Sequence, residues 1–378
     1  MIEAPLLYLL SILLLALGIG LLEKKSQHKV FTYLPAVVII YATAMMFSQL
    51  GLWQESSEVK EYYKVAKKFL LPAMLFVMLL KIDLKAFVSL GRPLIIAYVA
   101  AVTSLSFSFI SLFWLFGLDQ DGAGVFATLA GSWTGGTANM LAVAGALNVR
   151  EELMGYALIV DSIDYTLWVM LLLFLVGFAP YFNRWTKATE HLQALQTQPE
   201  VSTLTPKPII LMALFIFSLL IAFISYSIAS YLPGLSTTTW SVLSATTFGL
   251  IGSRTPLKKI RGSNGLSSAM LMVLIALIGS QAHLRGFDAV PMYLLIGLLI
   301  LLLHAVIMVV VAKVFKLDLF SIGVASLANI GGVASAPILA AAYHRSLIGI
   351  AVLMAIMGYL IGTVMGLGIG YILEAIAQ

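Results

Sequence analysis

The chain has 378 residues, of which 61% are hydrophobic and only 10% charged, with a formal net charge of +5. A mean hydropathy of +1.02 excludes an ordinary soluble domain and points to an all-α polytopic membrane protein; no short alternating strands suggest a β-barrel. The absence of cysteine excludes disulfides, thiolate metal centres and thiol nucleophiles, and the basic residues, set in loops beside apolar runs, read as topogenic charge rather than a nucleic-acid footprint.

The first apolar run, Pro5 to Leu22, lacks a basic leading region and a small-residue cleavage site, so it reads as a retained span rather than a signal peptide. Glu23-Lys24-Lys25 follows it and favours an outside N-terminus. Further stretches of spanning length fall near 30–51, 62–80, 93–117, 122–148, 153–178, 208–232, 238–253, 264–283, 288–314, 319–343 and 346–376. At ~1.5 Å per residue, ~20 residues cross the hydrocarbon, so about 11–13 transmembrane helices are expected. The third stretch is apolar only after the mixed-charge segment ESSEVKEYYKVAKK, and the eighth, TTTWSVLSATTFGLIGS, is short and polar. The polar segment 183–207 reads as a solvated linker with a surface helix around Lys187–Gln196. It divides a first transmembrane half (1–180) from a second (208–378), with 181–207 between them.

The two halves resemble each other. FATLAGSWTGGTANMLAVA (126–144) aligns with VASLANIGGVASAPILAAA (324–342) if a two-residue gap is allowed. Gly135-Gly136 then matches Gly331-Gly332, and Asn139 falls on Ser335. LMGYALIVDSIDY (153–165) lies over LIGIAVLMAIMGY (347–359), and KIDLKAF (81–87) over QAHLRGF (281–287). Repeated halves, each with a glycine-interrupted span, are the sequence mark of secondary transporters. A Gly-Gly pair weakens a helix by about 1 kcal/mol per residue and opens backbone angles that other residues resist. Freed backbone groups in hydrocarbon need partners, and a solute or ion can supply them. Ser132, Thr134, Gly135, Gly136, Thr137, Asn329, Gly331, Gly332 and Ser335 are therefore candidate substrate-binding residues. Gly18, Gly20, Gly362, Gly366, Gly368 and Gly370 read instead as close-packing positions.

Asp161 and Asp164 lie mid-way along the sixth stretch, three residues apart and so on one helix face. A carboxylate at that depth costs ~2.5–3.5 kcal/mol or more and usually marks an ion or proton path. With Asn139 they form the candidate coupling site, either as a proton-carrying pair or as oxygen ligands of Na⁺. No other metal and no cofactor is expected. His304, Ser104, Ser108 and Ser111 read as packing residues with local hydrogen bonds. No GxxxxGK[ST], HExxH or GxSxG motif is present, so neither nucleotide hydrolysis by a phosphate loop nor enzymatic hydrolysis is expected.

AGSWTGGTANMLAVA in the first half, with SLANIGGVASAPILAAA and GYLIGT in the second, resembles the bacterial and plant membrane family known as domain of unknown function 819, or YjcL-like. That family is distantly similar to ion-coupled transporters with two crossed, broken helices. The resemblance implies that Gly135, Gly136, Asn139, Asn329, Gly331, Gly332, Asp161 and Asp164 gather near the membrane midplane. Inverted repeats need an odd number of crossings between equivalent points, whereas six separate the fifth stretch from the eleventh. Basic loops after the first, third and eighth stretches also cannot all lie inside if every stretch crosses. One crossing is therefore expected to be miscounted, with the short eighth as first suspect.

The expected function is secondary active transport of a small organic solute (an anion, amino acid or short peptide) coupled to Na⁺ or H⁺ in the bacterial cytoplasmic membrane. A cation/proton antiporter using the Asp161/Asp164 pair is the alternative, and a channel or receptor a more remote one. The expected partners are the lipid bilayer, the solute and a second copy in a homodimer; no nucleic acid is expected.

Overall fold

Every one of the twelve apolar stretches contains helix, and no strand occurs among the described residues. The computed structural model describes residues 4–25, 36–53, 56–188, 207–282, 289–344 and 347–378. Most of the linker, including the surface helix expected after Lys187, and most of the upstream repeat match at 281–287 lie outside them. Six helices are long and apolar enough to cross a membrane by themselves: Pro5–Glu23, Arg92–Phe116, Glu151–Thr186, Pro208–Ala229, Val290–Phe315 and Ile348–Ile376. A multi-pass membrane protein needs helices of this kind, because only a helix satisfies its own backbone in hydrocarbon.

The chain forms two compact units, and each draws on both sequence halves. The first takes Met1–Lys81, Ala144–Ser162 and Leu204–Val290. It contains α1 (Pro5–Lys25), α2 (Ala36–Gln49), α3 (Ser57–Leu79) and, from the second half, α10 (Pro208–Ala229), α11 (Thr237–Gly252) and α12 (Ser263–Gly279). Polar contacts tie their ends together. Tyr8 Oη and Ser280 Oγ are 2.7 Å apart, Trp53 Nε1 donates to Ser11 Oγ at 2.8 Å, and Lys67 pairs with Glu151 at 2.8 Å. Lys81 Nζ donates to Lys258 O at 2.6 Å and Ile260 O at 2.9 Å. Burial, and then the neighbouring Lys258 charge, push the Lys81 ammonium below its ordinary range.

The second unit takes Ile82–Val143, Ile163–Thr203 and Pro291–Gln378. Its elements are α4 (Leu84–Val88), α5 (Arg92–Phe116), α6 (Gln120–Gly135), most of α7 (Thr137–Ala146), the latter part of α8 (Glu151–Leu175) and α9 (Ala179–Thr186). The second half adds α13 (Val290–Phe315), α14 (Leu319–Ile330), α15 (Gly332–Tyr343) and α16 (Ile348–Ile376). Phe109, Phe126 and Trp133 are fully buried here, with ring centroids of Phe109 and Trp133 5.5 Å apart. Burial of such aromatics supplies packing attraction that lipid, as apolar as they are, cannot supply by exclusion.

Candidate functional site

Two helical hairpins form the centre of the second unit, and each starts the same way. The residue after Phe116, Gly117, has φ 58°, and the residue after Phe315, Lys316, has φ 55°. Leu-Asp follows in both. Asp119 accepts from Gly122 N at 2.9 Å, and Asp318 accepts from Ser321 N at 2.8 Å and Ser321 Oγ at 2.9 Å. These are N-caps, satisfying donors at a helix start that have no intrahelical partner.

The helices then stop at the paired glycines. α6 ends at Gly135, Gly136 has φ 90° and ψ 174°, and α7 starts at Thr137. Such backbone angles are essentially restricted to glycine. α14 ends at Ile330, and Gly332, at φ 60°, opens α15. In both motifs the second glycine carries the positive φ.

The chain reverses at each stop. A methyl placed on Gly131 would lie 2.8 Å from Val143 Cγ2. Along an uninterrupted helix these two residues would be about 18 Å apart. A methyl on Gly323 would lie 3.6 Å from Leu339 Cδ2, where an uninterrupted helix would separate them by about 24 Å. Each Gly-Gly motif is therefore the tip of a hairpin whose arms return side by side.

The first tip is clamped by α16. Asn139 is fully buried; its amide donates to Gly135 O at 2.8 Å and Gly358 O at 3.2 Å, and its oxygen accepts from Thr363 Oγ1 at 2.6 Å. Thr134 Oγ1 donates to Ala130 O at 2.7 Å and approaches Gly362 O at 3.3 Å. A Cβ on Gly135 would collide with Asn139 Nδ2 and Gly358 O, and one on Gly366 would lie 2.8 Å from Gly131 Cα. Gly131 and Gly135 thus run against Gly358, Gly362 and Gly366 in a small-residue seam that lets two backbones meet. The packing role expected of Gly362 and Gly366 fits; Gly18 and Gly368 have nothing within 4 Å of an added Cβ.

The second tip is buried but not satisfied. Asn329 is fully buried and donates to Ala325 O at 2.8 Å; among the described residues neither its Oδ1 nor the Oγ of Ser335, 1% exposed, has a partner. Thr128 Oγ1, on α6 and fully buried, has no partner among the described residues either. A buried polar atom without a partner costs about 1–3 kcal/mol, so native proteins seldom keep one without a use.

The tips meet each other's repeat. Gly358 of α16 lies between them, since a Cβ there would be 3.2 Å from Gly135 Cα and 3.6 Å from Ala328 O. Tyr165 of α8 packs on the second tip, with Cε2 2.5 Å from a Cβ on Gly331; its aligned counterpart Tyr359 packs on the first, 3.8 Å from a Cβ on Gly136. Each of these two tyrosines, aligned in sequence, thus packs on the tip that belongs to the other half of the chain.

Asp164 is fully buried and belongs to this unit, whereas Asp161 is half-buried and belongs to the other; the boundary passes between Ser162 and Ile163. Ser132 is buried at the first tip, and Thr137 half-buried. No group of acidic, histidine or cysteine side chains able to hold a metal occurs among the described residues. An alkali ion would have to be bound by neutral oxygens with a carboxylate.

His304 bonds through both nitrogens, Nδ1 to Ser104 Oγ at 2.7 Å and Nε2 to Ser326 Oγ at 2.8 Å, and Trp168 Nε1 donates to Ser326 Oγ at 3.0 Å. Ser104 Oγ donates to Ala101 O at 3.1 Å. A neutral imidazole with its proton on Nδ1 satisfies the whole chain of bonds. The family model of the protein of unknown function DUF819 matches residues 10–376. The chain belongs to the DUF819 family. No curated protein matches it.

In this DUF819 member, Ser132, Thr134, Asn139, Asn329 and Ser335, the candidate polar residues of the two motifs, are buried. Sequence reasoning missed Thr128, Thr363 and the clamp from α16. A signal for the hairpin starts was present: FGLD (116–119) and FKLD (315–318) precede the two motifs.

Proposed function

We propose that this DUF819 protein is a secondary active transporter of the bacterial cytoplasmic membrane. It moves a small organic solute with Na⁺ or H⁺ and catalyses no covalent step. The observation that carries this reading is the pair of glycine-tipped hairpins, touching through Gly358, with buried unpartnered oxygens at the second tip. Irregular backbone at membrane depth is tolerated where it is enclosed in protein or lines a cavity, and such tips are where transporters bind. Asn329, Ser335 and Thr128 supply polar contacts to the solute or ion. Asp161 and Asp164 carry the coupling charge, and Asn139 holds the first tip to α16.

Inverted repeats belong to this reading. Residues 120–146 and 319–343 are re-entrant, dipping in from opposite faces and leaving by the face they entered, while the other ten stretches cross. Arms of 10–16 residues reach about 15–24 Å, short of the ~30 Å core. Three contacts within the first unit support it: Lys67 with Glu151, Lys81 with Lys258 and Ile260, and Tyr8 with Ser280. With twelve crossings an odd number separates the partners in each, which puts them on opposite faces. Removing the fifth stretch from the count makes every number even. The loops bearing Lys24 and Lys25, Lys81 and Lys85, Arg184 and Lys187, Arg254 to Arg261, and Lys313 and Lys316 then share the inside, as topogenic charge requires. Five crossings separate the tips, an odd number. The exceptions to simple crossing are the fifth and eleventh stretches, not the eighth.

The chain lacks cysteine, so single introduced cysteines report sidedness directly. With an impermeant maleimide on intact cells, Leu50→Cys, Asp121→Cys, Arg150→Cys and Tyr231→Cys are expected to label, and Arg184→Cys and Arg254→Cys only after permeabilisation. Labelling of Asp121→Cys and Arg150→Cys from opposite faces would defeat the hairpin reading. For transport, uptake into proteoliposomes under imposed Na⁺ or H⁺ gradients is compared between wild type and Asp161→Asn or Asp164→Asn. Gradient-driven uptake unchanged in both variants rules out the coupling role.

A further inference from the structure

The first unit holds a cavity of about 380 Å³, open on one side, between the start of the apolar part of α3, the loop before α8, α10 and α11. Small-solute sites are typically ~300–1,000 Å³. Lys64, Lys67, Lys68 and Arg150 line it, and Glu151 is the one acidic lining residue among the described residues. The wall therefore carries three more positive than negative charges. Glu151 is already engaged, by Lys67 at 2.8 Å and by Tyr63 Oη at 2.6 Å. Lys68 Nζ stands 3.7 Å above the Tyr226 ring, a contact that steers the ammonium without neutralising it.

A second, independent feature is Ser241. It lines the same cavity, is 1% exposed, and its Oγ has no hydrogen-bond partner among the described residues. Basic wall and unsatisfied hydroxyl together match a group that brings both negative charge and several acceptor oxygens. In the inverted arrangement proposed above, these lysines lie on the face opposite the other basic loops, against the topogenic rule. A binding role gives a reason for that departure.

We infer that this cavity is a binding site for an anionic oxygen group, a phosphate or carboxylate, held by Lys64, Lys68 and Arg150 with Ser241 donating from the floor, and with Lys67 restrained by Glu151. The group comes either from a free solute or from an anionic lipid headgroup. The cavity's lining includes Gly145 at the end of the first hairpin's return arm but neither Gly-Gly tip, and the inference stands whether or not those hairpins transport anything.

The test is direct binding to the purified full-length protein in phosphatidylcholine nanodiscs, followed by thermal shift and by calorimetry with inorganic phosphate and with succinate. Saturable binding of either anion is expected, weakened about tenfold or more in Lys68→Gln/Arg150→Gln, since charge-assisted bonds of this kind carry that much. Glu151→Gln, which releases Lys67, is expected to tighten it. A lipid source reads differently: no response to phosphate or succinate, but stabilisation by added phosphatidylglycerol that the double variant loses. Absence of both responses in the wild type, or equal responses in the wild type and in a double variant that is folded by its melting profile, overturns the proposal.

Discussion

The two hairpins share a plan and differ in what their tips do with polar atoms. Both start at Leu-Asp after a residue of positive φ, both turn at Gly-Gly, and both fold back. At the first tip Asn139 uses its amide and its oxygen, on Gly135, Gly358 and Thr363. At the aligned place in the second stands Ser335, whose hydroxyl, like the side-chain oxygen of Asn329, has no partner among the described residues. A satisfied buried network rigidifies; an unsatisfied one lowers stability and is kept where a ligand completes it. The comparison teaches that the same turn can be closed by its own polar contacts or left with buried oxygens that have no partner among the described residues.

The largest effect is expected at the seam. Gly135→Ala drives a methyl into Gly358 O and Asn139 Nδ2, where backbone cannot step aside, and is expected to cost about 3 kcal/mol or more. Folded yield and melting temperature in detergent would read it, and a near-wild-type melt would remove the clamp from the comparison. Asn139→Ala strands Thr363 and two carbonyls. It is expected to lower stability by about 1–2 kcal/mol, the upper range for polar contacts between membrane helices.

A third pair of variants separates the turns. Gly136→Asn is expected to cost about 1–2 kcal/mol more than Gly332→Asn, because asparagine tolerates the left-handed φ of 60° at Gly332 far better than the angles of Gly136. Equal melts would mean that the two turns are equivalent after all. The smallest stability change sharpens the contrast most. Ser335→Ala removes a hydroxyl without a partner among the described residues, and Asn329→Ala an unpartnered oxygen together with one bond to Ala325 O, so melting is expected to stay within about 0.5 kcal/mol of wild type or rise for Ser335→Ala and within about 1 kcal/mol for Asn329→Ala while solute uptake is lost. A clear loss of stability with uptake intact would make the second tip scaffold too.

Much of this was legible in the chain of residues. Hydropathy placed helix in all twelve stretches, and the Gly-Gly pairs marked where two of them stop, because glycine alone readily takes φ near 90°. What the sequence could not show was direction. The stretch 122–148 has the length and apolarity of a crossing helix whether it runs straight through Gly136 or turns back there. Under the proposed topology the conflict among the basic loops comes from counting that stretch as a crossing; the polar eighth stretch, the first suspect, is a helix over Thr237–Gly252.

By itself, then, the sequence determined membrane class, helical content and the glycines at which two of the helices stop, since these follow from local transfer energies and backbone permissions. Only the tertiary structure decided that Val143 returns to Gly131 and Leu339 to Gly323. It alone assigned Thr363 and Gly358 to Asn139 while leaving Asn329 and Ser335 unsatisfied. The physical reason is that a polar atom's partner lies at a distance in space, more than 200 positions along the chain here, and no local pattern carries that information.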